Sequence, residues 1–382
     1  MRFTTRGRPV AGHDGAVQRL ASTLVLLLLS AALGLAHAQA LVRVLLADAP
    51  AAIVRFDGPH RGALDGRPFE VALALDWPVI AHGDRLWVDG RDAGHQLDLT
   101  GDDGFAWDGR RYRGTLRLIA DEGRVRVVNV LDIEAYLRGV VPAEMQASWP
   151  AEALKAQAVA ARTYTLLHLD ASRDYDVCAT IDCQVYRGRE VEHPASDAAV
   201  AATAGEVLTY GGVFARTYYH ADSGGVIASS AEVWGSEIPY LQAFQDVASG
   251  GPHATWTARL DPRGVAAQLA AIGVRVGTLQ RLTVLETSSS GRVVRAQVVG
   301  SEGRAVLDGV SLRTQLRAWG LKSTRFVMTG DLTLRGEGWG HGVGMSQYGA
   351  RALSLAGYGY AQILGFYYPD TRLQRLTVQA QR

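Results

Sequence analysis

The segment that most restricts the fold is PAEALKAQAVAARTYTLLHL, residues 150–169. Pro150 stands where a helix begins, and neither Gly nor another Pro occurs in the rest of the segment. In a helix, Lys155, Val159, Arg162 and Leu166 share one face, and Leu154, Ala158, Ala161 and Thr165 share the neighbouring one. Side chains this small let another element approach closely, so the helix is expected to pack tightly inside the fold.

The surroundings set the fold class. From Leu41 to about Val130, the runs LVRVLL, AAIVRF, PFEVALAL, RLWVDG and RYRGTLRLI alternate or stay apolar between Gly, Asp and Pro, which predicts strands. RVRVVNVL leads into DIEAYLRGVV, a short helix. PASDAAVAATAG reads as a helix closed by Gly205, and VLTYGGVF as a hairpin at Gly211 and Gly212. After about Gly250 the pattern changes: DPRGVAAQLAAIG is helical, LQRLTVLETSSSGRVVRAQVVG is two strands turning at SSSG, and SLRTQLRAWG is helical again. Strands and helices mix without strict alternation, so the expectation is an α+β protein with mixed sheets, a long motif helix and an inserted smaller α+β lobe. The expected divisions are residues 1–38, 39–130, 131–249, 250–330 for the inserted lobe, and 331–382 for a Gly-rich closing segment.

Of the 382 residues 48% are hydrophobic, enough for a sizeable core. The net charge of +1 argues against electrostatic capture of nucleic acid. Arg2, Arg6, Arg8 and Arg19 precede LVLLLLSAALGLA and then AHA-Q, the order of a secretory signal peptide cut after Ala38 or near Ala40. That apolar run falls short of the ~20 residues that span a bilayer. The mature chain is therefore expected to be exported, without a membrane span, to the periplasm or the cell wall and medium. Cys178 and Cys183 are the only cysteines. At this spacing, in an oxidising compartment, a disulfide or a metal site is open to them.

One acid stands out. Glu144 lies among Val140, Val141, Pro142, Ala143 and Met145, shortly before Trp149, on an expected loop that feeds the long helix. A carboxyl in apolar company is held protonated towards neutral pH, as a proton donor requires. The plainer reading is an acid that favours the N-terminus of the long helix by about 0.3–1 kcal/mol.

VVPAEM, then EALKAQAVAARTY, DCQVYRG, SGG, EVWG, PYL, GWGHGVGMSQYGA and ILGFYYPDT closely resemble the SpoIID/LytB family, over roughly residues 41–375. The resemblance implies an α+β fold and, in one branch, a lytic transglycosylase that cuts peptidoglycan glycan strands already stripped of stem peptides. The Glu of its P-x-E-M motif is the acid, here Glu144. Glycosidases ordinarily need a second carboxylate. A lytic transglycosylase needs one, because the substrate's own 6-hydroxyl attacks the anomeric carbon and leaves a 1,6-anhydromuramyl end. Asp132 and Glu134 read as an exposed helix start.

Carried onto this chain, the motifs nominate Lys155, Arg162, Gln184, Tyr186, Ser223, His341 and Gln347 as substrate-binding residues. Each has a bland counterpart: a solvated cation, a satisfied buried Tyr, a structural His. Some relatives hold a structural zinc with two Cys and two His. Asp182 occupies the place before Cys183 where such relatives carry His, and His168 lies upstream. Zinc, a disulfide and free thiols are the three states considered for Cys178 and Cys183, and the chemistry itself requires no cofactor. The expected partners are peptidoglycan glycan strands and a cell-wall amidase. The alternative function is a non-catalytic amidase enhancer that grips glycan or the amidase; a scaffold in a wall-remodelling complex is a third.

Overall fold

A computed structural model describes residues 40–56, 59–71, 75–247 and 250–376. The leader expected at residues 1–38 lies outside them. Two lobes emerge, each with its own apolar core.

The first lobe is built on a seven-stranded sheet. Its order is Val177–Cys178, Leu41–Ala49, Arg124–Asp132, Thr115–Asp121, Gln96–Gly101, His60–Leu64 and Arg67–Val71. The pairings are antiparallel except that Val44 lies parallel to Val177. A six-stranded sheet contributes to the same core through Val54, Val79 and Leu86. Alternation along the strands explains the layering: in Leu41–Ala49, Val42 and Val44 are fully buried while Leu41 is exposed.

Register delivers the chain to the site. Leu41 pairs with Asp132, the residue that ends its strand and caps helix α1 (Ile133–Glu144). The Asp132 carboxylate accepts from the N–H groups of Glu134 and Ala135 at 2.8 and 3.3 Å, which satisfies two of the donors a helix start leaves free. Pro142 falls inside the last turn of α1, and Glu144 is its final residue. The expectation of a loop at Glu144 is thus corrected: the helix runs through Pro142, which forfeits its own N–H bond, and ends two residues later.

Helix α2 (Ala151–Leu167) comes next and is the centre of the lobe. Ala153, Ala156, Ala158, Ala160 and Ala161 are inaccessible to solvent. Packed around it are α1, α3 (Pro194–Ala202), the strand Glu206–Tyr210, and, from the far end of the chain, α7 (Gln347–Leu355) and α8 (Tyr360–Tyr367). A short helix α4 (Ser230–Trp234) carries a capping box between Ser229 and Glu232.

The second lobe has two three-stranded sheets with helices α5 (Pro262–Ala271) and α6 (Gly309–Leu316). Its core includes Val265, Leu269, Ala296, Leu312 and Leu334. The strand Thr333–Gly336 pairs with Trp256–Arg259 and Phe326–Gly330, so this lobe closes at Gly336 rather than at 330. Its firmest tie to the first lobe is Arg292, 2% exposed, which donates to the carbonyls of Ser223 and Val226 at 3.0 and 2.9 Å. Glu232 adds bonds to Ser289 and Ser290. No helix among the described residues is long and apolar enough to cross a membrane.

Candidate active site

Glu144 ends α1 with its carboxylate turned towards the loop after Cys183. The N–H of Val185 donates to Oε1 at 2.7 Å, and the Gln347 side-chain amide donates to Oε2 at 3.3 Å. Burial pushes this carboxyl above the usual range; the two hydrogen bonds and the charge of Arg187 pull the other way and do not cancel it. No cation bonds it directly among the described residues, so its donors are neutral.

The expected apolar cage has a different composition. Val141 and Met145 are buried in the general core, and Trp149 packs edge-on to Tyr348 at 4.8 Å. The polar side is built by a buried chain of hydrogen bonds. Gln184 donates to Thr165 Oγ1 at 2.7 Å and to the Tyr136 hydroxyl at 3.3 Å, and accepts from the Tyr219 hydroxyl at 2.9 Å. Gln184 is wholly buried, and these bonds fix the backbone that presents the Val185 N–H. Tyr186 is 3% exposed and spends its hydroxyl on Asn129 at 2.8 Å, and its remaining surface lines the groove described below.

Other nominated residues have polar groups engaged within the protein. Arg162 is 1% exposed and makes a two-pronged pair with Glu134 at 2.8 and 2.6 Å, with further bonds to the carbonyls of Val200 and Glu206. Its donors are committed to the interior, and Glu134 is an internal counter-ion rather than an exposed helix-start acid. Lys155 pairs with Glu152 at 2.6 Å and lies over the Tyr360 ring. Ser223 is fully buried with its hydroxyl on Asp246 at 2.6 Å. His341 accepts from the Val343 N–H at 3.1 Å and packs among Trp234, Tyr218 and His220. Burial drives its pKa down to about 3, so the ring is neutral and braces the Gly-rich loop. Gln347 alone of the nominated set bonds Glu144. It is placed at the first turn of α7, where Ser346 caps the helix through Gly349 N–H at 3.1 Å.

Cys178 and Cys183 form a disulfide, with Cα atoms 5.4 Å apart. Joined sulfurs have no thiolate to offer a metal. No cluster of three or more His, Cys, Asp or Glu is arranged for a metal among the described residues, and His168 faces the Tyr164 carbonyl at 2.7 Å. These residues therefore do not fit the zinc reading.

The disulfide loop borders a groove of about 610 Å³ that runs between the lobes. Val185 and Arg187 line it from the first lobe, Arg317 and Lys322 from the second, and Trp339 from the Gly-rich segment. Val185 thus faces the groove and also bonds Glu144. Sequence reasoning missed this residue because its contribution is a backbone N–H. It missed Arg317 and Lys322 because they are distant in sequence.

Comparison with known proteins places this geometry. The profile of the Stage II sporulation protein family matches residues 121–210, which carry α1, Glu144 and α2. Stage II sporulation protein D of Bacillus subtilis is 31% identical over 270 residues, covering 64% of this chain and 75% of the relative. The chain belongs to the SpoIID/LytB family. The amidase enhancer of Bacillus subtilis is 33% identical over 319 residues, 70% of this chain but 44% of that protein, so this family member spans less than half of it. An uncharacterised protein of Brachyspira hyodysenteriae is 31% identical across 86% of this chain and 92% of its own length. A profile described as a domain of unknown function matches residues 254–344, which cover the second lobe and the start of the Gly-rich loop.

Proposed function

We propose that this SpoIID/LytB protein is exported and cleaves peptidoglycan glycan strands as a lytic transglycosylase. The observation that carries the reading is Glu144: a carboxyl raised by burial, bonded only by neutral donors, and linked through Val185 to an interlobe groove. The names of the relatives, one for sporulation stage II and one for amidase enhancement, support a cell-wall role.

In this reading the protonated Glu144 gives its proton to the glycosidic oxygen as the bond to the muramyl anomeric carbon breaks. The Val185 N–H and the Gln347 amide then stabilise the carboxylate that forms. The muramyl 6-hydroxyl attacks the same carbon, and Glu144 takes that hydroxyl's proton. One product gains a free 4-hydroxyl, the other a 1,6-anhydro bridge, and no water is consumed.

The amidase-enhancer similarity favours a second reading, in which the groove grips glycan or an amidase without cutting. Purified protein and a Glu144→Gln variant, each given peptide-free and intact strands, separate the two by mass spectrometry. Anhydromuramyl ends made by the native chain and lost in Glu144→Gln are expected. Their absence on both substrates, with faster release of stem peptides by an added amidase, would establish the enhancer instead.

A further inference from the structure

The buried amides around Glu144 are satisfied to different degrees. Gln184 uses both of its faces: the nitrogen donates to Thr165 and Tyr136, and the oxygen accepts from Tyr219. Gln157 does not. It lies on α2 between Ala156 and Ala158 and is inaccessible to solvent. Gln347 Nε2 donates to Glu144 Oε2 at 3.3 Å and to Gln157 Oε1 at 3.4 Å. Gln157 Nε2 is buried and has no hydrogen-bond partner among the described residues. An amide nitrogen left unbonded inside a protein is uncommon and asks for a reason.

Glu144 supplies one. As a carboxylate it only accepts hydrogen bonds; once protonated it also donates and needs an acceptor. The Val185 N–H can only donate. The Gln347 amide offers either face, because half a turn about its last torsion exchanges nitrogen for oxygen. Its backbone stays pinned meanwhile, by Met345 N–H on the Tyr218 carbonyl at 3.1 Å and Tyr348 N–H on the Ala221 carbonyl at 3.0 Å. Turned alone, Gln347 would set its oxygen against the Gln157 oxygen. Turning Gln157 as well removes that conflict and brings its spare nitrogen to Gln347 Oε1.

We propose that Gln157 is a positioning residue for proton transfer, and that the Gln157–Gln347 pair turns over with the Glu144 proton. This rests on the cleavage reading and deepens it. With the proton on Glu144, its O–H donates to Gln347 Oε1, which also accepts from Gln157 Nε2. When the proton passes to the glycosidic oxygen, both amides turn and the Gln347 nitrogen meets the carboxylate. Capture of the 6-hydroxyl proton turns them back. The bond to the carboxylate is charge-assisted and the stronger of the two, so Gln347 still favours the charged form overall. The other ionisable groups that act on Glu144 are Arg187, Tyr136 and Tyr219. Burial pushes both tyrosines up, so neither changes charge alongside it.

The test is a pH titration by NMR of the full chain without substrate, its Glu and Gln side chains isotopically labelled. The Glu144 carboxyl signal and both amide signals are expected to shift with one midpoint, and both amides to stop shifting in Glu144→Gln. In Gln347→Leu, Glu144 should still titrate while the Gln157 amide no longer follows it. A Gln157 amide that ignores the Glu144 midpoint overturns the inference, as does one that still follows it in Gln347→Leu. In strand cleavage, Gln157→Met is expected to lower kcat about tenfold, the worth of one hydrogen bond, with KM unchanged because Gln157 is sealed from solvent. A rise in KM with kcat unchanged overturns the positioning role. A native chain that cuts no strand overturns the cleavage reading but not the coupled turning, which the titration decides by itself.

Discussion

The two ends of helix α1 hold two glutamates in different electrostatic surroundings. Glu134, in the first turn, grips the buried guanidinium of Arg162 with both oxygens, and its Oε1 also accepts from the Gly205 N–H at 3.1 Å. Glu144, in the last turn, has only neutral donors, and burial raises its carboxyl. One acid is paired with a cation; the other is held by amides and raised by burial. What separates them is the charge of the partner: a cation beside a carboxyl favours its charged form, whereas burial among neutral donors disfavours it.

Neutralising each acid is the sharpest way to break this contrast. Glu144→Gln is expected to lower glycan cleavage by about 10²–10⁴-fold, the usual contribution of a positioned proton donor, while the protein stays folded. Anhydromuramyl product formation and circular dichroism read the two halves of that statement. Glu134→Ala strands the Arg162 charge and is expected to cost about 3–5 kcal/mol of stability in denaturant titration. If both variants lose activity and stability alike, the two ends are not distinct.

A smaller effect tests the loop that presents Val185. Opening the Cys178–Cys183 bridge by Cys178→Ser with Cys183→Ser is expected to cost about 2 kcal/mol for so short a loop. A reductant should lower the thermal midpoint of the native protein, and a metal chelator should leave it unchanged. The reverse pattern would restore the zinc reading.

The subtlest prediction concerns pH. A carboxyl raised by folding holds its proton in the native state at pH values where the unfolded chain has lost it. Glu144 therefore makes stability fall as pH rises from the ordinary carboxylate range through its raised pKa. Cleavage should decline on the same limb as the acid form is lost. The Gln347 amide favours the charged form, so Gln347→Ala is expected to move that limb to higher pH. A shift to lower pH would show that Gln347 serves some other part of the site.

Much of the fold was legible in local patterns. The α2 segment, the hairpin at Gly211 and Gly212, and the pair of strands joined by SSSG appear where Gly punctuation and apolar periodicity put them. The motif resemblance led to Glu144. What escaped was relational. Arg162 shares a helical face with Lys155, yet one is sealed inside and the other half-exposed, because packing on the opposite side decides burial. Gln184 and Val185 are adjacent, but the side chain of the first and the backbone of the second do the work. The end of the second lobe depends on a strand pairing back to Trp256–Arg259, which no local window contains.

The separate cores of the two lobes have a further consequence. The Glu144 carboxyl is held by α1, the Val185 backbone and Gln347, all anchored in the first lobe. The opposite groove wall stands on the second core, beginning with the short segment after Arg317. Surface changes there are expected to leave the packing around Glu144 undisturbed. The acid and the wall that faces it are mounted on different foundations, so each is open to being changed alone.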